Sequence, residues 1–202
     1  MAQDVYIVGI NGSSDKAGNT NFLLQTGLKE ASLLGARTDI IHVGDVLGKM
    51  SVPFCINCSA PCKGICAANT PLAEALDMIR EADGLVIGSP VYFGMMTAQL
   101  KAFWDKLRCL RAEKKLLNTV GGVIVVGNGR NGGQEGTISA IHEMMLVQGM
   151  TIVGGGHFDH DCGHYGVAAQ KPAQDDNYAI ERTKILAKRI YEVSLATKCL
   201  RK

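Results

Sequence analysis

Residues 5–24 read VYIVGINGSSDKAGNTNFLL. From Val5 to Ile10 the chain is a short apolar run rich in β-branched residues, the pattern of a strand buried on both faces. A polar turn with Gly12 and Gly18 follows, and a helix-period stretch begins at Asn19. Such a strand, turn and helix bring backbone amides and a positive helix end to one point, which is a natural anion site. Ser13, Ser14, Asn19 and Thr20 add side-chain donors. An ATP-type loop is excluded, because five residues separate the two glycines and Asn19 stands where a lysine is required. The dinucleotide fingerprint GxGxxG is also missing. Taken alone the turn is a weak signal, open to the plain reading of a strand-to-helix connection.

The same alternation continues along the chain. Strands are expected at Val5 to Ile10, Thr38 to Val43, Gly84 to Ser89, Val120 to Val126 and Met150 to Gly154. Helices are expected at Asn19 to Leu34, Pro71 to Glu81, Thr97 to Arg108, Gln134 to Gln148 and Asp175 to about Lys198. Asn19 or Thr20 can cap the first helix and Gly35 can end it, while Thr70 and Pro71 read as N-cap and first-turn proline. Strict alternation with right-handed crossovers gives an α/β doubly wound, five-stranded parallel sheet of order 2-1-3-4-5. No internal repeat or domain boundary is visible, so residues 1–202 read as one domain. One connection is out of proportion: residues 44–69 show no periodicity, far beyond the usual loop of about 4 to 6 residues.

In a doubly wound sheet, ligands lie beyond the carboxyl ends of the strands, so loops one, three and four converge. After strand three comes GSPVYFGMMTAQLKAFWDKL, residues 88–107, in which Pro90, Val91, Tyr92, Phe93 and Gly94 offer a partly aromatic wall suited to a flat ring. Met95 stands beside them. After strand four comes GNGRNGGQEGT, residues 127–137, where Asn128, Gly129, Gly132 and Gly133 let backbone amides approach a ring's polar edge and Gln134 and Glu135 open the next helix. Leu100, Phe103, Trp104 and Leu107 recur at helical spacing and read as core, Trp104 included.

The long connection holds CINCSAPCKGIC, residues 55–66, with four of the chain's seven cysteines. The surrounding chain narrows their reading. It has 202 residues, 47% hydrophobic and 20% charged, enough to bury a core without covalent staples. Its net charge of +2 comes from 21 basic and 19 acidic residues with no long run of either sign, which points away from nucleic acid and membrane surfaces. The N-terminal stretch MAQDVYIVGING lacks the features of a signal peptide. A cytoplasmic protein is expected, in which thiols stay reduced and a disulfide is disfavoured. Four thiolates at Cys55, Cys58, Cys62 and Cys66 can close round a cubane, one to each iron, at gaps comparable to bacterial ferredoxin runs. Zinc remains the alternative, although its ligands more often form two separated knuckles.

Other clusters read as structural. In GHFDHDCGHYG, residues 156–166, ligand spacing can be drawn through His157, His160, Cys162 and His164, but a polar loop beside the ring edge is the preferred reading. His42 reads as a satisfied histidine, and Cys109 and Cys199 have no partner at useful spacing.

At the three loops the chain resembles the NADPH-dependent FMN reductase superfamily, flavodoxin-like in fold, and within it the iron-sulfur flavoprotein branch. The resemblance runs from Val5 to at least Gly156, and GSPVYFGMMTAQLKAFWDKL is its most specific part. It implies FMN with its phosphate at Ser13, Ser14, Asn19 and Thr20, its isoalloxazine at Pro90 to Gly94, and its pyrimidine end at Asn128 to Gly136. It also implies a cluster at Cys55, Cys58, Cys62 and Cys66, with four-iron four-sulfur the expected type, although the branch's middle gap is two residues and here it is three. The first loop departs from the family's Gly-Ser-Pro-Arg, since Gly12, Ser13, Ser14 and Asp15 stand there with Lys16 next in line. No side chain is expected to act as a nucleophile, because the flavin carries the chemistry.

The function so implied is electron transfer through FMN and an iron-sulfur cluster, between a reduced donor, NAD(P)H or ferredoxin-like, and a small acceptor. The cluster is expected to lie to one side of its own flavin and to approach that of a neighbour in a homo-oligomer, a dimer or tetramer. A flavin or quinone reductase with no cluster, whose cysteines bind zinc or sense oxidants, is the second reading. A receiver-type signalling domain is disfavoured, because Asn11 to Ser14 and Ser89 to Pro90 occupy the places of its acidic residues.

Overall fold

The computed structural model describes residues 4–201. Its strands are β1 (Tyr6–Asn11), β2 (Arg37–His42), β3 (Gly84–Pro90), β4 (Val120–Gly127), β5 (Thr151–Ile152) and β6 (Val167–Gln170). The helices are α1 (Asn19–Leu33), α2 (Val43–Gly48), α3 (Pro71–Glu81), α4 (Ala98–Asp105), α5 (Arg108–Ala112), α6 (Gln134–Val147) and α7 (Asn177–Thr197). The sheet runs β2-β1-β3-β4-β5 and every pairing is parallel, in the expected order.

Alternation along β1 assigns its side chains to two layers. Val8 and Ile10 join Leu72, Ile79 and Phe103 on the face covered by α2, α3, α4 and α6. Val5 and Ile7 join Leu24, Leu28 and Ile190 on the face covered by α1 and α7. Gly88 on β3 allows α1 to lie close, since a Cβ there would stand 2.7 Å from Leu24 Cδ1 and 2.9 Å from Thr20 Cγ2.

The fifth position of the sheet differs from expectation. Only Thr151 and Ile152 of the expected Met150 to Gly154 strand pair, with the first residues of β4. The chain then leaves the sheet and returns as β6, whose Val167 to Gln170 pair with Ile124 to Gly127. Residues 153–166 are thus an excursion from one interrupted strand. They are pinned to α7: Arg182 holds Asp161 and the Gly155 carbonyl, Lys188 meets Asp159 at 2.7 Å, and Glu192 lies 2.9 Å from His157 Nε2, while His164 and Tyr165 share a cavity with Glu135 of the loop after β4.

Other boundaries shift for local reasons. The expected Thr97 to Arg108 helix breaks into α4 and α5, where Lys106 and Leu107 donate three residues back, to Phe103 and Trp104. Gly18, not Asn19 or Thr20, is the N-cap of α1. Thr70 is the N-cap of α3, but its hydroxyl donates back to the Ala67 carbonyl at 2.9 Å. Gly35, at φ +101°, follows α1 as expected. At the start of the long connection α2 forms unannounced, taking Val43 from the expected second strand, and buries Val43, Val46 and Leu47.

At the end of the sheet where the strands begin, Asp83 is almost fully buried. It accepts from the Tyr6 amide at 2.9 Å and from Lys198 Nζ at 2.9 Å, and it is paired with Arg201. Lys198 and Arg201 are clasped there, on the side away from the loops that follow the strands.

Candidate functional site

Loops one, three and four converge beyond β1, β3 and β4, and buried hydroxyls join them. The Gly12 amide donates to the Gly88 carbonyl at 2.8 Å. Thr97, fully buried, donates its hydroxyl to the Gly12 carbonyl at 2.6 Å and accepts from the Leu100 amide, capping α4. Ser89 Oγ accepts from the Thr97 amide at 3.2 Å. Thr137 Oγ1 lies 3.3 Å from the Gly94 carbonyl and 2.9 Å from that of Gly133, tying loop three to loop four. Gly133 has φ +91°, and a Cβ there would meet Gly94 Cα at 3.0 Å, so this close approach of the two loops requires glycine at position 133.

The first loop is shaped by its own side chains. Asn11 Oδ1 accepts from the Ser13 amide, Ser13 Oγ from the Asp15 amide, and Asp15 Oδ1 from the Ala17 amide. Asp15 therefore bends back onto the loop as an Asx-type brace. The amides of Ser14, Lys16, Asn19 and Thr20 have no acceptor among the described residues. The predicted donors divide accordingly. Ser14 is exposed and Ser13 is buried. Asn19 Oδ1 accepts from the Ala173 amide at 2.7 Å, and Thr20 is only 2% exposed with its methyl against β3. Lys16 pairs with Asp45 on α2, which holds the Asp45 carboxyl below its usual range. His42 Nδ1 sits 3.1 Å from Asn11 Nδ2. Burial, with the Lys16 charge, pushes the His42 imidazole below its ordinary value against a weaker pull from Asp45, which suits a neutral ring accepting from Asn11.

Loop three is a two-residue hairpin. Tyr92 and Met95 exchange backbone hydrogen bonds of 2.8 and 3.1 Å, and Phe93 and Gly94 take φ +50° and +80°. Phe93 is fully exposed, with Tyr92 and Met95 half exposed beside it and Pro90 and Val91 partly covered. In loop four Asn128, Gly132 and Glu135 are exposed and Gly129 is half-buried. Gln134 turns inward instead, donating to the Gly129 carbonyl at 2.8 Å and thus fixing the loop.

The four cysteines of the long connection are free thiols and all line one cavity of about 170 Å³. No three His, Cys, Asp or Glu side chains among the described residues stand as ligands round a single ion. A cubane makes a different demand, one thiolate on each of its irons, and the cysteine-lined cavity meets that donor chemistry. Met50 and Phe54 also line a neighbouring cavity of about 730 Å³ that reaches Ser13, Ser14 and His42. A fifth cysteine lies nearby: a Cβ on Gly64 would stand 3.8 Å from Cys109 Sγ. Burial pushes the Cys109 thiol up.

Sequence reasoning missed Asn11, Ser89, Thr97 and Thr137, whose roles depend on contacts up to 85 residues apart in sequence. It also missed Lys106 and Arg108, which the break between α4 and α5 carries to the cysteine cavity. An apolar strand that ends in Asn or Ser was the available signal for the first two.

A family model described as NADPH-dependent FMN reductase matches residues 5–164. An iron-sulfur flavoprotein of Methanocaldococcus jannaschii is 39% identical over 194 residues, covering 93% of this chain and 96% of that one. An NAD(P)H dehydrogenase (quinone) of Chromohalobacter salexigens is 40% identical over 77 residues, 38% of each chain. Among solved structures, the WrbA-like flavodoxin of Agrobacterium tumefaciens superposes with a TM-score of 0.68 at 17% identity, covering 95% of this chain and 98% of that one, a likeness of fold. The loop architecture and these similarities lead to one conclusion: the chain is an FMN-dependent oxidoreductase that belongs to the NADPH-dependent FMN reductase family, in its iron-sulfur flavoprotein branch.

Proposed function

We propose that this protein passes electrons between a reduced donor, NAD(P)H or a ferredoxin-like protein, and a small acceptor, through FMN and a four-iron four-sulfur cluster. The observation that carries the reading is the pairing of two features in one chain: three bridged loops with unpartnered amides, and four free thiols on one cavity. The free amides of Ser14, Lys16, Asn19 and Thr20 suit a terminal phosphate, helped by the N-terminal end of α1. The exposed Tyr92, Phe93 and Met95 suit a flat ring, from which they would exclude water. Asn128, Gly129, Gly132 and Gly133 line its polar edge in this reading, with Gln134 fixing the loop. Cys55, Cys58, Cys62 and Cys66 would hold the cluster. When bound, a flavin exchanges electrons in pairs or singly, and a cluster exchanges them singly, so together they connect two-electron and one-electron partners.

The cysteine connection follows β2, the edge strand, so the cluster cavity stands to one side of loops three and four. Phe54, Ile56 and Ile65 are exposed around it. We assign this apolar rim to contact between subunits of a dimer or tetramer, which light scattering after gel filtration tests. The experiment for the whole reading is an absorbance spectrum of protein purified without oxygen, with iron and acid-labile sulfide assayed on the same sample. Flavin bands with about four irons per chain are expected. Flavin without iron or sulfide would leave the second reading, an NAD(P)H-dependent flavin or quinone reductase without a cluster, which the quinone-reductase relative favours. Absence of flavin would overturn the assignment of the three loops.

A further inference from the structure

Lys106 is 4% exposed and lines the four-cysteine cavity. Its ammonium has no hydrogen-bond or ion-pair partner among the described residues, and the adjacent carboxylate, Asp105, is engaged by Lys101 at 2.7 Å. The ammonium is not among the sealed, unpartnered polar atoms of the described residues, so it reaches the cavity, where a negative group would meet an uncompensated positive charge. Arg108, half-buried on the same cavity, lies 3.9 Å from Cys55 Sγ and is hydrogen-bonded to Asn57 Oδ1. The break between α4 and α5 puts both cations there, since a continuous helix would turn them to different sides.

Four thiolates outweigh the positive charge of a zinc ion or of an iron-sulfur core, so a metal centre they hold is an anion. One-electron reduction without proton uptake makes it more negative. We infer that Lys106 and Arg108 are the counter-charges of an anionic metal–thiolate centre at Cys55, Cys58, Cys62 and Cys66, and that they favour its more reduced state. The inference rests on the proposed role of those cysteines as ligands. Neither residue is needed as a ligand; both act through the charge they place beside the sulfurs.

The test is a potentiometric titration of the full-length protein, purified without oxygen and reduced with dithionite, followed by absorbance and electron paramagnetic resonance. In Lys106→Met the cluster midpoint should fall by about 59 mV or more, a tenfold change in a one-electron equilibrium. The flavin midpoint should stay in place. Arg108→Gln should shift the cluster midpoint in the same direction by less, because water screens that group. Lys106→Arg keeps the charge and should restore the wild-type value. An unchanged cluster midpoint in Lys106→Met, or an arginine variant that behaves like the methionine one, overturns the inference. If the wild-type protein holds no iron or sulfide, the cluster reading fails, and the counter-charge is then judged with Zn²⁺ as the probe. Competition with a chromophoric chelator should show about tenfold weaker Zn²⁺ binding in Lys106→Met and none of that loss in Lys106→Arg, the factor expected for about 1.4 kcal/mol of lost attraction. Equal affinities would overturn the inference.

Discussion

One hydroxyl joins loop one to loop three. Thr97 Oγ1 donates to Gly12 and accepts from Leu100, both in the buried interior. Thr97→Val keeps the shape and leaves both backbone groups unpaired, so a loss of about 1–3 kcal/mol in unfolding free energy is expected. Thr97→Ser should lose little of it. Since the substitution loosens loop one against loop three, FMN affinity measured by fluorescence quenching should fall about tenfold. His42 makes the same point through pH. Its folded pKa lies below its unfolded value of about 6.5, so its stabilising contribution is complete above that value and is lost as pH falls through the lowered one. Melting curves between pH 8 and pH 5 should therefore show an acid-side loss in the wild-type protein that is smaller in His42→Gln, whose amide oxygen can still accept from Asn11. A comparison with the variant is needed because burial also lowers His142.

Elements were legible where a local pattern determined them. The apolar runs of β1, β3 and β4 and the periodicity of α1, α3 and α6 are properties of consecutive residues, and the sheet order follows from their alternation. The fifth strand was not legible in full, because Val167 to Gln170 are too few to stand out and only their pairing with β4 makes them a strand. The cysteine set could be read from spacing, whereas the cations facing it could not, because they come from another element. Loop three shows how conformation and function pull apart within an element. Phe93 holds φ +50° while fully exposed, a left-handed conformation that costs an L-residue with a Cβ about 1–2 kcal/mol. Asparagine tolerates it better and is preferred before glycine in such a turn. Phe93→Asn should thus raise the melting temperature of the flavin-free protein slightly while weakening FMN binding. An unaltered FMN affinity would mean that Phe93 does not cover the ring.

Across the whole molecule the labour is divided between the two ends of the sheet. The loops after β1, β3 and β4 carry exposed aromatics and unpartnered amides, an arrangement that a ligand can complete. The opposite end is closed by protein alone, through Asp83 with Tyr6, Lys198 and Arg201. Burial pulls the Arg201 guanidinium below its usual value while Asp83 opposes the change, so the pair depends on its partner carboxylate. Asp83→Ala removes that carboxylate and leaves Arg201 buried without an anion. Breaking such a pair costs about 3–5 kcal/mol. For a chain of this size each kcal/mol lowers the melting temperature by roughly 2–4 °C, so a fall of about 6–20 °C is expected by calorimetry. FMN affinity, measured well below the melting range, should stay within about twofold of wild type, a difference of about 0.4 kcal/mol. A parallel loss of affinity would show that the clasp and the loops are coupled through the strands, and that the two ends do not act independently.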